Sequence, residues 1–190
     1  MELKAKITDT TASGLITSPQ STEGLKATGR FLIECYDKNG KLKWTDESKN
    51  LVVNVGLQFM ANSLFAVTTI SAWYLGLYGA ASSNNPAAGD TMSSHAGWTE
   101  VTDYSESTRP TATFVAATTA NPSVVTNAAS KAQFTMNNTV TVGGAFLTSN
   151  NTKGGTTGTL FSAKDFSSPG DRNVVSGDVV LVTYTFSLAG

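Results

Sequence analysis

Arg30-Phe31-Leu32-Ile33-Glu34-Cys35-Tyr36-Asp37-Lys38-Asn39-Gly40-Lys41-Leu42-Lys43-Trp44 is the stretch whose reading decides the fold. Phe31, Ile33 and Cys35 fall on one face and Leu32, Glu34 and Tyr36 on the other, the period of two of a strand with one buried side. Asn39-Gly40 then marks a hairpin turn, because both residue types tolerate a positive φ. Lys41-Leu42-Lys43-Trp44 alternates again as the returning strand. A chain that declares an antiparallel hairpin this early, and follows it with short β-prone runs, is expected to be mainly β.

Downstream, Leu51-Val52-Val53 is a short strand. Asn54 is placed to cap a helix beginning at Val55. Leu57, Met60, Ala61, Leu64 and Phe65 recur at spacings of three and four, the stripe of one short helix packed on a sheet. Trp73–Tyr78 is apolar on both faces, as a central strand would be. Further strands are expected at 111–119, 131–136, 140–148, 159–162 and 179–188, separated by turn residues. Gly143-Gly144 suggests a bulge or a close backbone approach. Asn150–Gly158 has the composition of a flexible loop, and Ser176-Gly177-Asp178 that of a turn before the last strand. The resulting expectation is an antiparallel β-sandwich, Ig-like or jelly-roll-like, spanning residues 29–190 as one domain. Residues 1–28 carry only scattered apolar side chains among Ser, Thr, Gly and Pro, and are expected to be an extended N-terminal arm. Leu15 and Ile16 are its only adjacent pair of large apolar residues and its candidate partner contacts.

Composition narrows the function. Charged residues make up 14% of the 190, against roughly a quarter in an ordinary soluble domain. Ser and Thr take their place, and Thr suits a pleated surface. The net charge is −1, which leaves no basic footprint for nucleic acid. A surface poor in Lys, Glu and Asp is what a face buried between subunits requires. The lone cysteine, Cys35, excludes an internal disulfide and a thiolate metal cluster. There is no apolar leader and no run long enough to span a bilayer, so a soluble product of a reducing compartment is expected.

Chemistry is thinly provided. His95 is the only imidazole, and no Gly-x-Ser-x-Gly elbow accompanies it. Glu100, Asp103 and Glu106 recur every third residue; a glycosidase-like carboxylate pair is conceivable there, but a solvated acidic turn is the simpler reading. Cys35 shares an apolar face, where a thiol stays protonated. The Asp residues are scattered singly, without a calcium-loop spacing, and no phosphate-binding loop is present. No catalytic residue, cofactor or metal is therefore assigned. The segment 79–108 is longer than an ordinary connection, which marks it as a candidate binding element. Its Trp98 and Tyr104 are candidate partner contacts. With Trp73, Tyr74 and Tyr78 they could form a sugar-binding platform, or they could simply be core.

Three segments carry a resemblance. Glu34–Trp44 followed by Asn50-Leu51-Val52-Val53-Asn54-Val55-Gly56, Ala88-Gly89-Asp90-Thr91-Met92 leading to His95-Ala96-Gly97-Trp98-Thr99-Glu100 with Tyr104 and Arg109, and Gly158-Thr159-Leu160-Phe161-Ser162 with Gly177-Asp178, are together similar to virion structural proteins of tailed bacteriophages. The resemblance covers residues 30–188 and leaves the arm outside. It implies a capsid cement or decoration protein, made in the host cytoplasm and carried on the capsid surface of the virion. Its expected partners are the major capsid protein and further copies of itself, as a dimer or trimer, with no nucleic acid and no membrane. The alternative is a tail- or fibre-associated adhesin that holds host surface glycans.

Overall fold

β1 (Lys26–Tyr36) and β2 (Leu42–Lys49) form the hairpin that the alternation predicts. In the computed structural model, which describes residues 26–64, 70–79, 86–167 and 169–190, β1 begins three residues before position 29. Leu15 and Ile16, and with them most of the expected arm, lie outside the described residues. The turn is longer than a bare Asn-Gly pair. Asp37 closes it: its Oδ1 accepts hydrogen bonds from the backbone N–H groups of Asn39 and Lys41, both at 2.9 Å. A register shift between Cys35 and Tyr36 absorbs the extra residue.

β10 (Val179–Ala189) lies on the other side of β1 and pairs with it from Lys26↔Ala189 to Tyr36↔Val179. Along the far edge of β10, β5 (Ser123–Thr126) and β6 (Ala132–Thr135) follow one another. Asn127 spans the gap between them. Its Oδ1 accepts the Tyr184 N–H at 2.6 Å and its Nδ2 donates to the Val182 carbonyl at 3.2 Å, so β10 keeps partners where no strand lies beside it.

The second sheet runs β3 (Leu51–Val52), β8 (Leu160–Asp165), β7 (Val140–Thr148), β4 (Tyr74–Gly79), with β9 (Arg172–Val174) beside the first half of β7. Among the described residues, two antiparallel sheets and a single helix make the mainly β sandwich expected from the sequence. Phe31, Ile33 and Cys35 of β1, with Val180, Val182 and Tyr184 of β10, face Leu75, Leu77, Val142 and Leu147 of the second sheet. Alternation along each strand delivers these side chains to the same interior.

Three local expectations change. Trp73–Tyr78 does supply a strand, but β4 stands at the end of its sheet and not in the middle. Its free edge is paired by the following chain, which bridges at Tyr78↔Glu100 and Tyr74↔Thr111, while Met92 and Trp98 cover its outer face and the first sheet its inner one. Residues 111–119 form no ladder. Ala112 donates to Trp73, Val115 to Thr126 and Thr118 to Val124, so the segment changes partner along its length and never keeps a register. The helix α1 (Asn54–Leu64) forms, but Leu57 is exposed. The inward face carries Gly56, Phe59 and Met60 instead, because Gly56 lies against the Phe161 carbonyl, where a Cβ could not fit. The Val53 carbonyl accepts the first helical bond, from Leu57 N–H at 3.0 Å, so Asn54 is the first helical residue and not the cap. Phe65 lies outside the described residues.

The Gly143-Gly144 pair does both things the sequence suggests. Tyr78 pairs with Gly144 and Gly79 with Val142, which leaves Gly143 as the bulged residue. The Tyr78 ring lies on Gly144, and the Phe146 ring lies on Gly76 in the neighbouring strand. Each large ring thus occupies the space above a cross-strand glycine. A Cβ at position 144 would enter the Tyr78 ring and the Lys164 carbonyl at once. Gly144→Ala is therefore expected to lower stability by roughly 1–3 kcal/mol, the range for overpacked cores. Urea denaturation measures this; an unchanged midpoint would show that the sheet can shift to admit the methyl.

Candidate functional site

The chain from 86 to 98 lies on the outer face of the second sheet and makes a small core of its own. Tyr78, Met92, Trp98, Phe146, Leu160 and Val53 are all buried there. The Trp98 indole sits 5.1 Å from the Tyr78 ring and 5.2 Å from the Phe146 ring. Its Nε1–H donates to Asp90 Oδ2 at 3.0 Å, and the same oxygen accepts the Ala87 N–H at 3.0 Å. His95 stacks on Trp98 with centroids 3.8 Å apart, and its Nδ1 lies 3.0 Å from the Trp98 carbonyl. That contact requires a hydrogen on Nδ1, because a carbonyl only accepts. The single imidazole is thus a local fastener, as a loop histidine without base or nucleophile partners would be.

Trp98 and Tyr104 are corrected as surface contacts. Trp98 is 4% exposed and Tyr104 fully buried. Tyr104 meets Phe134 edge-on at 5.0 Å, and the Lys153 ammonium covers its ring at 4.2 Å. Both rings were drawn inward by the apolar area they bury, which for an aromatic outweighs any advantage of exposure. Neither can serve as a glycan platform from this position.

The three carboxylates do not converge and do not form a solvated turn. Glu100 makes a two-pronged pair with Arg109: Nε donates to Oε1 at 2.8 Å and Nη2 to Oε2 at 2.6 Å. The Arg109 side chain is fully buried and that of Glu100 is 8% exposed. Arg109 also donates from Nη1 to the Asn150 carbonyl at 2.8 Å and from Nη2 to the Gly155 carbonyl at 2.7 Å, while Gly154 N–H donates to Glu100 Oε2 at 2.9 Å. The glycine-rich 150–158 loop is thereby pinned to the segment 100–109. Asp103 accepts from Asn138 Nδ2 at 3.1 Å, and Glu106 accepts the Thr135 N–H at 3.0 Å. Each carboxylate holds a different piece of chain, so none is presented as an acid or base facing another. The Arg109–Glu100 pair could not be read from spacing alone. The available hint was that Arg109 is the only Lys or Arg between Lys49 and Lys131, with three carboxylates just before it.

Cys35 is fully buried, as its alternation predicts. Burial, and then the charge of Asp178 beside it, push its thiol up to about 12. Asp178 is itself committed: its Oδ2 accepts the Val175 N–H at 2.9 Å and pairs with Lys43. Among the described residues, no three His, Cys, Asp or Glu side chains gather as a metal-holding group.

What the molecule does present is a broad concavity on the outer face of the first sheet, about 680 Å³ in volume. Thr28, Leu32, Thr183, Thr185 and Ser187 line it, with Arg30 standing between Thr28 and Leu32 on the same face, paired with Glu47, and with Lys26 and Lys49 also in the lining. The floor belongs to β1 and β10, the two longest strands, which pair along their whole length. No protein-family model, no curated protein and no solved structure matches the chain. The fold and its site define a class only: a β-sandwich whose residues 86–104 pack their aromatics inward and whose first sheet carries a concavity on its outer face.

Two outcomes follow for these buried groups. Glu100→Gln leaves the Arg109 guanidinium buried without its counter-charge, and a loss of roughly 3–5 kcal/mol is expected from chemical denaturation; a loss below about 1 kcal/mol would show that the two carbonyls hold Arg109 unaided. For Cys35, the folded-state value of about 12 lies above the ordinary 9.0, so the folded chain binds the proton more tightly. Its stabilising contribution is complete below pH 9.0 and is lost as pH rises toward 12. Denaturation midpoints across that window should fall less steeply for Cys35→Val than for the unaltered protein; parallel curves would remove the thiol as a cause.

Proposed function

We propose that this chain is a non-enzymatic structural protein of a tailed-bacteriophage virion, of the capsid cement or decoration type, which binds the lattice of major capsid protein through the outer face of its first sheet. The observation that carries the reading is that face itself. It is concave, is lined mostly by Thr, Ser and small or aliphatic side chains around one Arg30–Glu47 pair, and is backed by the β1–β10 ladder. Interface cores are depleted in Lys, Glu and Asp, and a preformed surface avoids ordering costs on binding. The groups that could have carried chemistry support the same direction. His95, Glu100, Asp103, Glu106 and Cys35 are each occupied by a structural contact. The phage context comes from the resemblance of residues 30–188.

A cement protein gains from repetition. Modest contacts at each lattice position add up when copies are linked, and self-association as a dimer or trimer would supply that linkage. The capsid surface is then its place in the particle.

Thr28 and Ser187 face each other across β1 and β10 in the floor of the concavity. Thr28→Lys with Ser187→Glu places an opposite-charge pair there, which the ladder tolerates. Co-sedimentation with purified capsid shells of the parent phage should show at least tenfold weaker binding by this double variant, with an unchanged thermal midpoint. Undiminished binding would remove this face from the interface. Cryo-electron microscopy that finds the protein only on the tail would overturn the capsid assignment.

A further inference from the structure

The tip of the β1–β2 hairpin places a reactive pair of residues where the fold both exposes and restrains it. Asn39-Gly40 is the only Asn-Gly pair in the chain, and every other asparagine is followed by a residue that carries a Cβ. Lys38, Asn39 and Gly40 are all exposed. Gly40 has a φ of 78°, and beyond its chain neighbours no atom stands within 4 Å of where its Cβ would be. Neither a side chain of its own nor a packed neighbour shields the Gly40 nitrogen from the side chain before it. Among the described residues the Asn39 carboxamide takes no hydrogen bond, so it can turn toward that nitrogen. Other asparagines are held: Asn127 and Asn150 each use both ends of the amide.

Asp37 supplies the restraint. Its carbonyl accepts the Gly40 N–H at 2.9 Å, and its Oδ1 accepts the N–H groups of Asn39 and Lys41. The Lys41 N–H bond, with that of Asn39, holds the Asp37 carboxyl below the usual carboxylate range, so it stays ionised and keeps these bonds at neutral pH. The Gly40 N–H must leave Asp37 and lose its proton before its nitrogen can attack. Opening of the turn therefore precedes the chemistry, and opening a surface turn costs far less than unfolding the domain.

We infer that Asn39 is a site of spontaneous covalent modification, converting through a cyclic imide to aspartate and isoaspartate at a rate governed by the Asp37 turn. The Gly40 nitrogen gives up its proton and forms a bond to Asn39 Cγ. The Cγ–Nδ2 bond breaks, and the departing nitrogen takes up a proton and leaves as ammonia. Water then opens the ring at either carbonyl, so the net change is water consumed and ammonia released, with no oxidant or reductant. Opening at the main-chain carbonyl gives isoaspartate, in which the backbone runs through the former side chain and gains a methylene. The Asn39 and Lys41 N–H groups then cannot both reach Asp37 Oδ1, and the hairpin tip loosens. The reaction belongs to the free chain and stands whether or not the protein sits on a capsid.

Ageing the folded protein in mildly alkaline buffer made with heavy-oxygen water, followed by peptide mapping in a mass spectrometer, tests it. The peptide that contains Asn39 should take up a single heavy oxygen and split into an aspartate and an isoaspartate form, at least tenfold ahead of any other asparagine. Asp37→Ala should speed this conversion at least threefold, because the turn opens more readily. Asn39→Gln should abolish it, because the longer side chain would have to close a larger ring. The same chain unfolded in urea should convert at Asn39 at least threefold faster than the folded protein. Another asparagine converting first, or Asn39 left unconverted when the unfolded chain converts, would overturn the inference. A rate unchanged by both Asp37→Ala and unfolding would overturn the part assigned to the Asp37 turn.

Discussion

Eleven residues of the first strand, Lys26–Tyr36, pair without interruption with the last, Val179–Ala189. Every other element takes its place from this ladder. It sets which side chains of both strands point inward, and so where Phe31, Ile33 and Cys35 meet Val180, Val182 and Tyr184. Each such side chain contributes about 1.5–3 kcal/mol on burial. The ladder also supplies the floor of the outer concavity, because the alternate residues of the same two strands face the other way. Interior and exterior surface are thus one constraint seen from its two sides. Joining strands so distant in sequence carries a loop-closure cost that only the completed core offsets, which makes this a topology of slow folding.

The few charges in the chain are used with economy. Arg109–Glu100, Lys43–Asp178 and Arg172–Asp46 each bury at least one member and each join segments far apart in the fold or pin a loop. Removing a partner from such a pair is far costlier than the pair is worth, so they act as conditions on the fold more than as sources of stability. Asp46 has a second consequence. It points inward from β2, at the edge of the first sheet, where burial, opposed by the Ser167 N–H bond and Arg172, pushes its carboxyl upward. A charge buried on an edge strand discourages a further strand from adding at that edge.

How much of this was legible depended on the range of the signal. The hairpin at 30–44, the strands at 74–79, 140–148 and 179–189, and the bulge at Gly143-Gly144 come from alternation and turn chemistry, which act over a few residues. The inward face of α1 was misread because the deciding residue, Gly56, has no side chain to announce itself; its contact with the Phe161 carbonyl exists only once β8 is in place. Residues 111–119 have strand composition yet no single partner, and composition cannot say whether a partner will be there.

Trp98 and Tyr104 mark the same division at the candidate site. Sequence alone determined that this chain is a mainly β sandwich, that its one thiol faces an apolar interior, and that the residues ordinarily used for chemistry are few and scattered. These follow from local periodicity and from counting. Only the tertiary structure decided that residues 86–104 pack their aromatics inward instead of presenting an exposed grip, that Arg109 and Glu100 find each other, and that the outer face of the first sheet forms a concavity. Burial is a property of what surrounds a residue, and for these the surroundings arrive from the far end of the chain.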